Sequence, residues 1–270
     1  MTLKVAACQL WLDVAQSSGN LARAEAAVTV AAGQGAQLVV LPELTNSGYV
    51  FTDFDEVRER AQSVNGSVVF DWCALARRHR LVLVAGFAEL GDDGRFYNSA
   101  VLIDQGELRA VYRKVHLWDT EKEIFTPGSH APPVLDTSVG RVAMMICYDL
   151  EFPEWTRLVG LAGAQVLAAP TNWPAGDRPL TERPIEVIRV QAAASVNRIA
   201  VVAADRCGSE RGVDWVGGSV IVGPDGYPLA GPPSAPRPEI LVAELDLAEI
   251  DRKSTSLRND VFTDRRPDLY

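Results

Sequence analysis

The sequence predicts an α/β layered fold whose sheets are partly parallel and partly antiparallel. Two observations carry that prediction. Short β-rich apolar runs alternate with longer segments of helical periodicity, the signature of strand–helix–strand units. Two other links carry turn signals, Asp104-Gln105-Gly106 and Pro224-Asp225-Gly226, which mark hairpins and therefore antiparallel neighbours. With 270 residues, 47% hydrophobic and 23% charged, the chain can build a sizeable core.

In chain order, LKVAACQ (3–9) reads as a first strand. An Ala-rich helix follows to about Ala32, with Asn20 expected to cap its start. QLVVLPE (37–43) is an apolar strand stopped by proline, 67–79 fits an amphipathic helix, and RLVLVAGF (80–87) returns as a strand. YNSAVLI and ELRAVYRK flank the first hairpin turn. RVAMMIC (141–147) is a strand, FPEWTRLVGLAG a helix and AQVLAAPTNW another strand. IEVIRVQAAASV reads as a helix, RIAVVAAD and ILVAELD as strands, and the Pro-rich GPPSAPRP (231–238) as a loop. No repeat or low-complexity linker divides the chain. Residues 1–270 are therefore expected to form one domain, with the charged, irregular stretch 251–270 as a C-terminal extension.

Acidic residues outnumber basic ones 35 to 26, for a net charge of −9, which argues against non-specific nucleic-acid binding. No apolar run is long enough for a membrane helix, and MTLKVAACQLWLD lacks the features of a signal peptide. Reduced thiols and a cytoplasmic location are the expectation for Cys8, Cys73, Cys147 and Cys207. Their spacing, with that of the three histidines, supports no metal site, and no phosphate-binding, dinucleotide-binding or serine-elbow motif occurs.

Polar residues stand at informative places. LVVLPEL puts Glu43 just after a buried strand, VYRKVHLW puts Lys114 at the end of a second, and MMICYD puts Cys147 at the end of a third. In α/β sheets functional side chains gather at such ends, so a base, a cation and a thiol could converge. Each also has an ordinary structural explanation. Glu43 could be a solvated loop residue, Lys114 an edge-strand gatekeeper and Cys147 the last buried residue of a strand. A thiol becomes an effective nucleophile only with a base or cation beside it. His116, two residues from Lys114, could pair with Cys147, and a carboxylate in a dry pocket could do the same work.

Three segments together resemble the nitrilase superfamily of carbon-nitrogen hydrolases: LPELTNSGY, YRKVHLWDTEKEIFTPG and MMICYDLEFPEWTR. The resemblance extends along nearly the whole chain, through APTNW, GGSVIVGPDG and VAELD. It implies a four-layer αββα sandwich, no cofactor, and a homodimer or higher homo-oligomer whose C-terminal tail resembles those that cross the dimer interface. Carried onto this sequence, Glu43 becomes the general base, Cys147 the nucleophile and Lys114 the cation that stabilises the tetrahedral intermediate. The motif EKEIFTPG places a second active-site glutamate on Glu121, with Glu123 the alternative.

Nitrile-hydrolysing members typically carry Cys-Trp-Glu at the nucleophile, whereas this chain has Cys147-Tyr148-Asp149, as in amidase and ureide-hydrolysing branches. Carbamoylase-like members place an arginine pair where Leu150 and Glu151 stand. The resemblance therefore implies an amidase for a small aliphatic carboxamide, ω-amino amides among them, acting through a cysteine thioester. The alternatives are an N-carbamoyl amide hydrolase, a nitrilase and a non-catalytic scaffold on the same fold. Tyr148, Trp173 and Asn172 are the expected substrate-contacting residues. Glu151 would favour a cationic amine on the substrate unless an arginine pairs with it.

Overall fold

Strand β1 (Thr2–Trp11) leads into helix α1 (Ser17–Gly33) and the short strand β2 (Leu38–Val40). The paired strand ends at Val40, short of the expected 37–43: Leu41 N–H still donates to Val84 O at 2.8 Å, but Pro42 has no N–H to carry the ladder on. Helices α2 (Phe54–Arg60) and α3 (Ser67–His79) follow. Strand β3 (Val82–Leu90) then joins the hairpin of β4 (Phe96–Asp104) and β5 (Glu107–Arg113). Gln105 and Gly106 both take positive φ, as a two-residue hairpin turn requires.

A one-turn helix α4 (Glu121–Ile124) precedes strands β6 (Val134–Thr137) and β7 (Gly140–Met144). A 3-10 turn at Cys147–Glu151 then feeds helix α5 (Pro153–Leu161), where Pro153 occupies a first-turn position that needs no N–H. Next come strand β8 (Val166–Pro170), helix α6 (Ile185–Asn197) and strand β9 (Ala200–Ala204). Three two-residue strands follow: β10 (Arg206–Cys207), β11 (Ser209–Glu210) and β12 (Val213–Asp214). The described chain continues with the hairpin of β13 (Val220–Val222) and β14 (Pro228–Ala230), strand β15 (Glu239–Asp246) and helix α7 (Leu247–Asp251). The structure, a computed structural model, describes residues 2–179 and 181–269. Met1 and Tyr270, the ends of the expected domain, and Leu180 lie outside the described residues.

The first sheet runs β10-β1-β2-β3-β4-β5, with β15 antiparallel along β1. Strands β1, β2 and β3 are parallel, and β4 and β5 are antiparallel additions. The second sheet runs β14-β13-β9-β8-β7-β6, with parallel β7, β8 and β9 flanked by antiparallel neighbours. Side-chain alternation explains why β1 is apolar at nearly every position. Val5 and Ala7 share one buried cluster with Leu38 and Val84 of their own sheet and with Val142, Leu167 and Val201 of the other. Ala6 and Cys8 point the opposite way, packing with Ala24 and Val28 of α1 and Val69 and Trp72 of α3. Val159 of α5 and Val187 and Val190 of α6 cover the second sheet. The layers are helix, sheet, sheet, helix: the αββα sandwich with mixed sheets.

Asn20 does not cap α1, which begins at Ser17. Its buried side chain instead accepts from Asp13 N at 2.9 Å and donates to Asp13 O at 2.9 Å, tying the helix to the loop before it. Past α7 the described part of the tail is irregular apart from a bridge between Ser254 and Asp260. It lies against its own chain: Lys253 Nζ donates to Arg198 O at 2.7 Å, and Arg157 and Lys253 sit over the Phe262 ring. No helix among the described residues is long and apolar enough to cross a membrane.

Candidate active site

Glu43 owes its position to the early end of β2 and to a close approach by β3. A Cβ on Gly86 would lie 2.6 Å from Glu43 Cα and 2.7 Å from the Pro42 carbonyl oxygen, so only glycine lets the two segments meet. The Glu43 side chain is fully buried. Its Oε1 accepts from Lys114 Nζ and from Asn98 Nδ2, both at 2.7 Å, while Oε2 is buried with no hydrogen-bond partner among the described residues. Burial pushes the carboxyl up to about 7 against the pull of Lys114, and the charge of Glu121 adds to the rise.

Lys114 follows β5, where its N–H still donates to Asn98 O at 2.8 Å and its carbonyl accepts from Gly128 N at 2.8 Å. Its ammonium is fully buried and sits 2.7 Å from both Glu43 Oε1 and Glu121 Oε1. Burial alone would lower its pKa, but the charges of Glu121 and Glu43 outweigh that cost and raise it. Glu121, at the start of α4, also accepts from the Tyr49 hydroxyl, and from Trp118 N at 3.2 Å. Of the two candidate glutamates, Glu121 is buried against Lys114 and Glu123 is exposed.

Cys147 stands three residues beyond Met144, the last paired residue of β7, at φ +46, an unusual conformation for a residue with a Cβ. Asp149 closes this bend. It takes Ile146 N on Oδ2 at 3.1 Å, while its own N–H donates to Ile146 O at 3.0 Å. The thiol is buried, with Sγ 3.7 Å from Asn172 O. Burial and then the charge of Glu43 push its pKa well above the ordinary thiol value, with Lys114 pulling the other way. The side chain is therefore a thiol at neutral pH, and attack requires a base.

His116 does not serve that need. Its Nδ1 is 2.6 Å from Asp149 Oδ1, its N–H donates to the same oxygen at 3.1 Å, and its ring stacks on Phe152 at 3.7 Å. Tyr112 adds a hydroxyl bond to Asp149 at 2.8 Å, so one carboxylate ties the Lys114 segment to the Cys147 bend. Glu151 is likewise engaged, 2.7 Å from Arg189, so the pairing alternative holds and Glu151 is not a free anion for a substrate amine.

Tyr148 is half-buried, edge-on to Trp118 at 5.0 Å and to Phe152 at 5.2 Å. Asn172 is drawn inward: its Nδ2 donates to Glu43 O at 3.0 Å, and its Oδ1 is buried with no partner. Trp173 is buried, its N–H donating to Asp205 at 2.9 Å and its ring lying over Gly218. Asn98 and Tyr49 join the cluster without having been singled out by sequence. Asn98 carries a readable signal, an amide ahead of the apolar run AVLI of its strand. Tyr49 carries none, because it meets Glu121 only through the way two loops come together. Cys8 and Cys207 are buried thiols pushed up to about 12 by burial, and Cys73 is half-buried; neither they nor Cys147 form disulfides.

A family model described as carbon-nitrogen hydrolase matches residues 4–253. The chain is 38% identical over 271 residues to a nitrilase of Pyrococcus abyssi, covering 99% of each. It is 34% identical over 269 residues to an (R)-stereoselective amidase of a Pseudomonas species, covering 98% of this chain and 92% of the relative. Among solved structures, an amidase from Nesterenkonia sp. AN1 carries acrylamide joined by Michael addition to its active-site cysteine. That structure is 31% identical and matches with a TM-score of 0.80 over 99% of this chain and 98% of its own.

Proposed function

The chain belongs to the carbon-nitrogen hydrolase family, and from that premise we propose that it is an amidase, cleaving a small aliphatic carboxamide to a carboxylic acid and ammonia through a thioester on Cys147. One observation carries the reading. A buried lysine holds two buried carboxylates at 2.7 Å beside a buried thiol, and Glu43 keeps one oxygen unengaged. Such a cluster is a poor stabiliser, but it has the parts for acyl transfer.

Glu43 removes the thiol proton as sulfur bonds to the amide carbon. The carbonyl π electrons move onto oxygen, where the Lys114 ammonium and the backbone N–H of Tyr148 stabilise the charge; losing one such donor typically costs about 10²–10³ in rate. Collapse breaks the C–N bond, and the proton held by Glu43 leaves with the nitrogen as ammonia. Water then attacks the thioester and gives its proton to Glu43. Breakage of the C–S bond frees the acid, and the proton returns to sulfur. Glu121 and Tyr49 hold Lys114 and the amide nitrogen in register.

A base that is protonated up to about pH 7 is depleted on acidification, so activity falls as pH drops below that point. kcat/KM should rise roughly tenfold per pH unit on the acid limb and level off above about pH 7. A profile flat down to about pH 5 would remove Glu43 from the role of base.

A cavity of about 590 Å³ adjoins the cluster, sharing Tyr49 and Trp118 with the surroundings of Glu121. Its wall includes Phe51, Phe54 and Trp215, it carries the carboxylates Asp53, Asp119 and Glu123, and no Lys, Arg or His lines it. This supports a neutral or ω-amino acyl chain over an ω-carboxyl one. Ammonia release from matched neutral, ω-amino, ω-carboxyl and ureido amides and a nitrile tests the reading. Neutral and ω-amino amides should be favoured over ω-carboxyl amides by at least about tenfold. Preference for the ureide, with release of carbon dioxide, or for the nitrile would replace it. Family membership also supports a homo-oligomer, for which Leu158 and Leu161 of α5 and Ile185, Ile188 and Val196 of α6 supply exposed apolar side chains.

A further inference from the structure

Glu210 has more partners than a loop glutamate needs. Its carboxylate is fully buried, taking Val14 N at 2.6 Å on Oε1 and Tyr49 N at 3.0 Å, Val50 N at 2.8 Å and Arg206 Nη1 at 2.9 Å on Oε2. Arg206 is itself fully buried, donates to Leu12 O, and lies 4.3 Å above the Trp215 ring. Trp215 in turn meets the Tyr49 ring edge-on at 5.2 Å. Tyr49 is thus held twice, by its backbone on Glu210 and by its ring on Trp215. Gly48 marks how close the chain runs: it takes φ +81, and a Cβ there would collide with Val14 and the Glu210 carboxylate. The far end of Tyr49 donates to Glu121 Oε1, the oxygen that also holds Lys114.

We propose that Glu210, paired with Arg206, is a positioning residue that fixes Glu121 and Lys114 through Tyr49. A buried ion pair is often no more stabilising than an apolar packing of the same volume. Its consequence here lies in the loop it pins: three backbone N–H groups and one guanidinium on a single carboxylate leave the Tyr49 segment one arrangement. The charge order of the site then follows from a residue that touches no reacting atom. The proposal rests on the amidase reading for its catalytic consequence, and on the contacts alone for its effect on the Cys147 thiol.

The test is a double-mutant cycle of Glu210→Gln with Tyr49→Phe, read by kcat and KM and, separately, by the rate at which iodoacetamide alkylates Cys147. Glutamine keeps the size but offers one acceptor oxygen, so it cannot hold the Val14 amide and the Tyr49 and Val50 amides at once, and it gives up the charge that pairs with Arg206. Glu210→Gln should lower kcat by about tenfold or more with little change in KM. Tyr49→Phe should do at least as much, and the double variant should fall no lower than Tyr49→Phe within about twofold. The alkylation rate should show the same non-additivity, which holds even if none of the amides tried is a substrate. Effects that multiply, or a folded Glu210→Gln protein with wild-type kcat and alkylation, would overturn the proposal. Should Glu210→Gln not fold, Glu210→Asp carries the same cycle: it keeps the charge for Arg206 but is one methylene too short to reach the Val14 amide on one side and the Tyr49 and Val50 amides on the other.

Discussion

Replacing Cys147 with alanine is expected to remove ammonia release from every amide the protein turns over, by at least about 10⁴-fold. The fold should survive. Among the described residues the thiol makes one long hydrogen bond, 3.7 Å to Asn172 O, and alanine meets the same backbone strain at φ +46 that cysteine does. The lost sulfur costs about 1 kcal/mol. Cys147→Ser should be similarly inactive, because a hydroxyl placed at the same distance from Glu43 is harder to deprotonate. Ammonia assays beside thermal unfolding separate the two effects. If either variant keeps more than about a tenth of the activity, Cys147 is not the nucleophile.

Lys114→Met has the second large effect, on activity and stability together. The ammonium is the only cation contacting Glu43 and Glu121 among the described residues, 2.7 Å from each. Without it two buried carboxylates face one another, a loss of about 3–5 kcal/mol that should lower Tm by about 10 °C. Activity should fall by at least about 10²–10³ with the oxyanion partner gone. The deficit has a pH sign. Burial already raises Glu43, and losing Lys114 removes what pulled it down, so one carboxyl takes up a proton on acidification. The Tm gap to the parent protein should therefore narrow as pH falls and widen as it rises. Adding Glu121→Gln to Lys114→Met should recover stability without activity. A gap independent of pH would contradict the charge arrangement described here.

The layers of the fold are legible in the sequence because the long strands and helices carry clear periods. In β1 even the near-continuous apolar run has its reason in two covered faces. What escapes is short or polar. Helix α2 buries only Val57 and starts from an Asp53 cap, so FDEVRER shows no apolar period. The two-residue strands β10, β11 and β12 are too short for any pattern to register. Asn20 has the residue type of a cap but sits inside the helix, because Asp13 offers its side chain better bonds.

The site divides in the same way. Glu43, Lys114 and Cys147 are legible as charged or nucleophilic residues at strand ends, while Glu121 needs its motif to stand out from Glu123. Asn98 is readable in hindsight as an amide ahead of an apolar run. Tyr49, Asp149 and Glu210 are not, since each acts across long stretches of sequence: Tyr49 meets Glu121 from 72 residues away, and Glu210 meets Tyr49 from 161. Loop packing makes those contacts, and no local pattern encodes it.

The acyl group is expected to pass through Cys147. Intact-mass analysis of protein quenched with acid during turnover of a favoured amide tests it most directly, followed by mapping of the modified peptide. The expected result is a gain equal to the acyl group less one hydrogen, carried by the peptide containing Cys147 and absent from those containing Cys8, Cys73 and Cys207. The Cys147→Ala protein should show neither the adduct nor ammonia. An acyl group on any other residue, or ammonia release that persists in Cys147→Ala, would contradict it.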